Sequence, residues 1–167
     1  MNGTLPRRKS PRAEFHDYSG GDYFVTICTK EKLPYFGHIN NGAMHLSRVG
    51  QCADKALADL ERHYPYVKIL LWVVMPNHVH AIVRIVNENG LLPAHRSVLG
   101  IVIGALKRAV TLFARRHEIE FAWQSRYHDH IIRDVTDGNR IAEYIENNVA
   151  RWDEDCFYSY PESENSR

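Results

Sequence analysis

The hydrophobic positions in the first third of the chain change from a strand period to a helix period. Residues 23–29 are β-branched and aromatic, which predicts a strand. Residues 36–39 and 43–46 flank an Asn-Asn-Gly sequence, whose glycine allows the positive φ of a tight turn, and predict a hairpin. Apolar residues then recur at helical spacing over 49–64, after Ser47 as a plausible N-cap. This third therefore predicts a strand, a hairpin and a helix.

The remaining apolar runs extend the same mixed pattern. Residues 67–75 and 78–86 predict two strands, the first almost continuously apolar as in a buried strand. A helix over 97–117, a short strand over 128–133 and a last helix from about 136 to 152 follow. The order β, hairpin, α, β, β, α, β, α predicts an α+β fold. We expect a ferredoxin-like or RRM-like antiparallel sheet with helices packed on one face.

Length and charge predict one domain with charged ends. The chain has 167 residues and 44% hydrophobic residues, which suits a single compact core. Lys plus Arg number 21 against 20 Asp plus Glu, so net charge alone predicts no partner. The charge distribution predicts a basic arm over residues 1–22, a domain over 23–152 and an acidic tail over 153–167.

The cysteines and the apolar runs predict a cytoplasmic location. Cys28, Cys52 and Cys156 are odd in number and lack a Cys-x-x-Cys spacing, which indicates a reducing compartment. The start of the chain is polar and basic, unlike a signal peptide. The most apolar run, 67–86, is broken by Asn77, two histidines and Arg84, so no membrane association is expected.

Two histidines lie on the predicted strand over 78–86. Alternate residues of a strand point to the same face, so His78 and His80 project together with Cβ atoms about 7 Å apart. Two imidazoles at that separation can share one divalent ion. Their neighbours are apolar, and buried polar groups are costly unless they are paired or liganded. A metal site and a pair of surface histidines both remain open from these residues alone.

A tyrosine and an asparagine stand one turn apart on the last predicted helix. Tyr144 and Asn148 share a helix face because residues four apart are neighbours. If this face meets the histidine strand, the Asn148 amide oxygen can join the histidines at a metal, with Tyr144 beside it. Hard oxygen ligands favour Mg²⁺ or Mn²⁺. Spacing alone does not distinguish this role for Tyr144 from simple packing.

Four ordered motifs resemble the single-tyrosine HUH transposases, most closely the REP-associated tyrosine transposases. They are Asp22-Tyr23-Phe24-Val25-Thr26-Ile27-Cys28, the stretch 73–83 with Met75-Pro76-Asn77-His78-Val79-His80, Trp123 to Asp134, and Tyr144-Ile145-Glu146-Asn147-Asn148. They span about residues 7–155. The resemblance implies that Tyr144 is the nucleophile and that His78, His80 and Asn148 bind Mg²⁺ or Mn²⁺.

The resemblance also implies a reaction and a substrate. Tyr144 would attack a backbone phosphate of single-stranded or hairpin DNA, leaving a 5′-phosphotyrosine and a free 3′-hydroxyl. Glu143, Glu146 and His130 are candidate proton acceptors, without a ranking among them. Val149 replaces the proline usual in the family after the metal-binding asparagine, so the helix is expected to continue towards Trp152.

Basic and aromatic residues predict contacts to DNA. The predicted contacts are Arg7, Arg8, Lys9 and Arg12 of the N-terminal arm, Lys107 and Arg108 of the second helix with Arg115 and Arg116 on the same stripe, and Arg126. Trp123, Tyr127 and Arg126 are candidates for stacking on unpaired bases. From the sequence alone, a solvated N-terminal start, a solvated face of the second helix and a core position for Trp123 remain open.

Two other functions fit parts of the pattern. A single-stranded nucleic-acid binding module uses the same fold, but it would carry aromatic residues where the histidines lie. A metal-dependent hydrolase would use His78 and His80, with His128 or His130 as a further ligand, and would not need Tyr144. Both a monomer and a homodimer remain open.

Overall fold

The structure is a computed structural model that describes residues 21–86 and 98–158, together with the backbone of residues 7–8 and 95–97. The strands are β1 (Arg7–Arg8), β2 (Asp22–Cys28), β3 (Gly37–Asn40), β4 (Ala43–Leu46), β5 (Val67–Val74), β6 (His78–Ile85) and β7 (His128–Ile131). The helices are α1 (Arg48–His63), α2 (His95–Arg116) and α3 (Val135–Asn147), with 3₁₀ turns at Lys30–Lys32 and Trp152–Glu154.

One antiparallel sheet organises the molecule. Its strand order is β1-β5-β6-β2-β7, and β3 and β4 form a separate hairpin. Without the two-residue β1, the order is that of a ferredoxin-like sheet, in which α1 joins the strands β2 and β5 and α2 joins β6 and β7. The predicted fold class is therefore confirmed.

The central strands β5 and β6 are buried on both faces. From Leu71 to Val83 every residue is buried, which agrees with the nearly continuous apolar sequence of β5. The register places Val73 opposite His80 and Trp72 opposite Ala81. Because neighbours along a strand face opposite ways, the histidines and Trp72 lie on different faces of the sheet.

The helices divide between these two faces. On one face, α1 packs beneath the sheet and its buried Asp54 accepts a hydrogen bond of 2.9 Å from Trp72 Nε1. On the other face, Tyr144 of α3 meets His80. The expectation of helices on one face holds for α1, whereas α3 covers the histidine face. The physical reason is that the buried histidine face also needs a covering layer.

Two helix boundaries differ from the predicted ones. The backbone of α2 begins at His95, two residues before the expected start. The last helix ends at Asn147 and does not continue to Trp152. The Asn148 N–H donates to Ile145 O, three residues back, and this tighter bond closes the last turn without a proline. Val149 is then buried in the core.

None of the helices in the described part of the chain has the length and hydropathy that spanning a bilayer requires.

Candidate active site

The two histidines of β6 lie side by side in the core of the histidine face. Their ring centroids are 4.4 Å apart and both side chains are fully buried. Strand β6 places them there because it pairs with β2 on one side and β5 on the other. The predicted pair is therefore a buried pair, and the reading as surface histidines is excluded.

Helix α3 brings the tyrosine to this pair. Tyr144 Oη lies 3.3 Å from His80 Nε2, and the tyrosine side chain is 40% exposed. Phe24 of β2 packs against both rings, with centroids 5.1 Å from His80 and 6.3 Å from Tyr144. The helix face that carries Tyr144 and Asn148 thus meets the histidine strand, as the spacing of these residues allowed.

The Nδ1 atom of each histidine has a polar partner. Thr26 Oγ1 lies 2.9 Å from His80 Nδ1, and Asn77 Oδ1 lies 2.8 Å from His78 Nδ1. Such partners orient a metal-binding imidazole and decide which nitrogen carries its proton. Both Nδ1 atoms are therefore occupied by protein contacts.

Two buried polar atoms at the centre of the site lack a hydrogen-bond partner among the described residues. Within the described part of the chain, neither His78 Nε2 nor Asn148 Oδ1 has a hydrogen-bond partner. An unsatisfied buried acceptor costs about 1–3 kcal/mol, so such atoms are rare without a purpose. An imidazole nitrogen and an amide oxygen are both metal ligands. These two atoms fit the predicted cation site.

Asp155 is a member of the site that the sequence did not reveal. Its Oδ2 atom accepts hydrogen bonds of 3.0 Å from Tyr144 Oη and 2.6 Å from Asn148 Nδ2. Its Oδ1 atom accepts one of 2.7 Å from the Phe157 N–H. The sequence placed Asp155 in an acidic tail, and no periodicity marks it, because the chain reaches the site through irregular turns after α3.

The site has the donor set of a divalent cation site. Potential ligand atoms of His78, His80 and Asp155 all lie within 4.8 Å of one another. The unpartnered Asn148 Oδ1 adds a further oxygen. Two imidazoles with carboxylate and amide oxygens suit a first-row divalent metal such as Mn²⁺.

Burial shifts the pKa values of the site in the direction that metal binding needs. It lowers the pKa of His78 to about 3, and it lowers the pKa of His80 well below its ordinary value, with the neighbouring His78 adding to the effect. Both rings are therefore neutral near pH 7 and can offer a lone pair. Burial and the Asp155 carboxylate raise the pKa of Tyr144, so its phenol is protonated in the metal-free protein.

An open cleft of about 380 Å³ adjoins the tyrosine. Both cations and carboxylates line it, so its charge is mixed. The lining residues are Arg140, Glu143, Tyr144, Asn147, Asn148, Arg151, Glu154 and Asp155. This cleft gives a ligand access to the exposed side of Tyr144.

The predicted DNA-contacting residues that the structure describes lie on β1, on α2 and in the loop before β7. Lys107 Nζ donates to the Gln124 and Ser125 carbonyls, at 2.7 and 3.3 Å, and so fastens the loop before β7. Arg108, Arg115, Arg116 and Arg126 are exposed. Arg7 and Arg8 form β1, which pairs with β5. Lys9 and Arg12 lie outside the described residues.

Trp123, Tyr127 and His130, which were predicted to stack on bases or to accept a proton, have contacts away from the Tyr144 oxygen. Trp123 is partly buried and donates from Nε1 to the Lys107 carbonyl at 3.1 Å, and Tyr127 is also partly buried. His130 Nε2 lies 2.7 Å from Asp137 Oδ2, whereas the hydrogen bonds of Tyr144 Oη go to His80 and Asp155.

Comparisons with known proteins place the chain among transposase folds. No protein-family model matches it. A REP-associated tyrosine transposase, solved bound to a REP hairpin, aligns with 84% of this chain and 74% of its own length, at a TM-score of 0.57 and 20% identity. A predicted transposase from Deinococcus radiodurans aligns with 83% of this chain and 97% of its own, at a TM-score of 0.50 and 16% identity. These neighbours support the resemblance to REP-associated tyrosine transposases.

A sequence relative is also found in Haemophilus influenzae. It is a protein of uncharacterised function, 35% identical over 173 residues, in a match that covers 94% of this chain and 96% of the relative. At that identity and coverage the two proteins share a family. The chain therefore belongs to the family of this Haemophilus influenzae protein, and its fold is that of the REP-associated tyrosine transposase.

Proposed function

We propose that the protein is a metal-dependent DNA strand transferase that cuts single-stranded or hairpin DNA through Tyr144. The observation that carries the proposal is the meeting of three features at one point. An accessible phenol, two buried neutral histidines and two unpartnered ligand atoms lie within one site. The REP hairpin bound by the structural neighbour indicates the class of substrate to test.

The roles follow from the contacts. His78, His80 and Asn148 would hold the cation, and Asp155 is close enough to both histidines to add a ligand. A divalent cation held there polarises a phosphate oxygen as a Lewis acid. The open cleft admits the DNA strand beside the exposed edge of Tyr144. Arg140 and Arg151, which line the cleft, supply positive charge towards a phosphate.

The chemical step is a transesterification. The Tyr144 oxygen forms a bond to phosphorus, and the bond from phosphorus to the 3′-oxygen breaks. The tyrosine proton passes to Asp155 Oδ2, which already accepts its hydrogen bond at 3.0 Å. The leaving 3′-oxygen takes up a proton and becomes a hydroxyl. The product is a 5′-phosphotyrosine, and because no water is consumed, the step can be reversed onto another 3′-hydroxyl.

Asp155 replaces the earlier candidates as the proton acceptor. Glu143 and Glu146 are exposed on α3, and His130 is engaged with Asp137. Asp155 instead contacts the reacting oxygen itself. Burial and the Asp155 carboxylate raise the pKa of Tyr144, so the phenol carries the proton that Asp155 is proposed to accept.

A cleavage assay tests the proposal. Labelled hairpin DNA from the flanks of the gene is incubated with the protein and Mn²⁺, and a denaturing gel separates free from protein-linked DNA. We expect a metal-dependent covalent adduct that Tyr144→Phe abolishes, whereas Tyr66→Phe, which removes a phenol just before β5, leaves it intact.

Either of two results would contradict the proposal. Cleavage that persists in Tyr144→Phe would identify a hydrolase that uses water as nucleophile. Tight DNA binding with neither cleavage nor adduct, across hairpins from both flanks of the gene, would identify a binding module.

A further inference from the structure

Asn77 connects the candidate metal site to the C-terminal segment. It lies in the turn between β5 and β6, and its side chain is 1% exposed. Its Oδ1 atom faces His78 Nδ1 at 2.8 Å. Its Nδ2 atom donates to the Lys32 carbonyl at 3.1 Å and to the Phe157 carbonyl at 2.8 Å. All three contacts are made by one amide.

We propose that Asn77 is a positioning residue that fixes the tautomer of His78, so that Nε2 presents its lone pair to the cation. The inference rests on the metal site of the proposed function. The hydrogen bonds around the Asn77 amide have directions that do not depend on the DNA reaction.

The two carbonyl partners decide the orientation of the amide. Carbonyl oxygens only accept, so the group facing Lys32 and Phe157 must be the NH₂ group, with both of its protons used. A flipped amide would turn its oxygen towards two other oxygens and lose both hydrogen bonds. The Asn77 oxygen therefore faces His78, where it can only accept.

An acceptor at Nδ1 places the proton of His78 there. A neutral imidazole has one N–H and one lone pair, so a proton on Nδ1 leaves Nε2 unprotonated. Nε2 is the atom without a hydrogen-bond partner in the described part of the chain, and it lies in the site with the Asp155 carboxylate. Asn77 thus assigns the lone pair of His78 to the candidate metal position.

The hydrogen bond to His80 does not by itself provide the same specification. Thr26 Oγ1 lies 2.9 Å from His80 Nδ1, and a hydroxyl can donate or accept. His80 also hydrogen-bonds the main chain of Val25, which no side-chain substitution removes. Asn77 is the residue at which a single substitution should change the tautomer of a metal ligand.

The same amide also aligns the segment that carries Asp155. The Phe157 ring lies 4.5 Å from the His78 ring, and the Phe157 carbonyl accepts from Asn77. Asp155, two residues earlier, contacts Tyr144 and Asn148. Asn77 therefore fixes the position of the segment that carries Asp155 relative to the His78 ring.

The first test reads the tautomer directly. ¹⁵N-labelled metal-free protein is studied by NMR, because the two ring nitrogens of a neutral histidine report which of them is protonated. We expect Nδ1–H at His78 in the wild type and a mixture of tautomers in Asn77→Ala. A wild-type His78 protonated at Nε2 would overturn the proposal whether or not any variant folds.

The second test measures Mn²⁺ binding by calorimetry. Outer partners of metal ligands are worth about 10–100-fold in affinity, and we expect a loss of that order in Asn77→Ala. Asn77→Asp keeps an acceptor oxygen facing His78 but loses both hydrogen bonds to the Lys32 and Phe157 carbonyls. It should therefore keep the Nδ1–H tautomer of His78 and recover only part of the affinity. Phe157→Ala removes the ring beside His78 but keeps the backbone carbonyl, so it controls for packing.

The outcomes separate this inference from the proposed function. An Asn77→Ala protein with wild-type tautomer and Mn²⁺ affinity would refute the role of Asn77, even if the DNA adduct forms. A loss equal to that of Phe157→Ala, with the tautomer unchanged, would make Asn77 a packing residue. Mn²⁺ binding that depends on Asn77 in a protein that forms no adduct would uphold the inference and reject the strand transferase.

Discussion

At the scale of the residue, the buried polar atoms of the site lower the stability of the metal-free fold. Two imidazoles, an amide and a carboxylate are gathered where the surrounding strands are otherwise apolar, and two of their ligand atoms lack partners in the described part of the chain. Burial of polar atoms without hydrogen bonds costs stability. A bound cation would satisfy these atoms, so the cost is consistent with selection for function.

The histidines should make the metal-free protein sensitive to mild acid. Their pKa values are lowered by burial in the folded protein, whereas unfolded histidines have a pKa near 6.5. Below that pH the unfolded state binds more protons, so the free energy of unfolding rises with pH. Between pH 6.5 and 5 we expect each histidine to remove up to about 1.4 kcal/mol per pH unit.

Denaturant titrations with a chelator present measure this effect. His78→Gln should reduce the dependence on pH, because it removes one of the two buried imidazoles. A free energy of unfolding that is constant from pH 7 to 5 would show that the buried histidines are not held neutral.

Asp155 should act on the rate of adduct formation. Asp155→Asn keeps the shape of the side chain but cannot take the phenol proton, and removal of a general base typically slows a step by about 10²–10⁴-fold. Single-turnover gels measure the rate, and Asp153→Asn, an exposed neighbour in the same acidic run, serves as control. A loss of Mn²⁺ affinity that accounts for the whole effect would instead make Asp155 a ligand.

At the scale of the element, strand and helix periodicity explains which residues meet. The two-residue period of β6 and the four-residue spacing of α3 were sufficient to predict that His78 shares a face with His80, and Tyr144 with Asn148, but not that these two faces meet. Periodicity could not predict Asp155, because the segment from 148 to 155 follows turns and a short 3₁₀ helix. The predicted end of α3 was wrong because local hydrogen bonding, which the period of apolar residues does not show, closes the helix at Asn147.

The junction of the hairpin and α1 depends on a close backbone approach at Gly50. A Cβ atom added there would lie 2.1 Å from the Phe36 carbonyl oxygen, a main-chain atom that also accepts from the Ser47 N–H. Because main chain cannot move aside cheaply, we expect Gly50→Ala to lower the free energy of unfolding by about 1–3 kcal/mol, as overpacking does.

Gly104→Ala is the matched control for this substitution. Gly104 lies on α2 with nothing within 4 Å of an added Cβ, so alanine should be neutral or stabilise by about 0.5–1 kcal/mol. Thermal unfolding of both variants measures the difference. Equal stabilities would contradict the tight contact at Gly50.

At the scale of the whole molecule, the sheet separates a packing face from the face that carries the candidate site. One face packs α1 beneath Trp72, and the other carries the histidines under α3. The apolar sequence of the central strands was sufficient to predict the antiparallel α+β sheet, but not that α3 covers its second face. The position of β1 was not predictable, because Arg7 and Arg8 are too few residues to show a period. The DNA-contacting residues stay a prediction.

The most direct test of the central claim is to map the covalent bond to DNA. The protein is reacted with hairpin DNA and Mn²⁺, digested with protease and nuclease, and sequenced by mass spectrometry. We expect a nucleotide 5′-phosphate attached to the peptide that contains Tyr144, at the tyrosine oxygen. Cleaved DNA with a free 5′-phosphate and no modified peptide, or a nucleotide on any other residue, would contradict it.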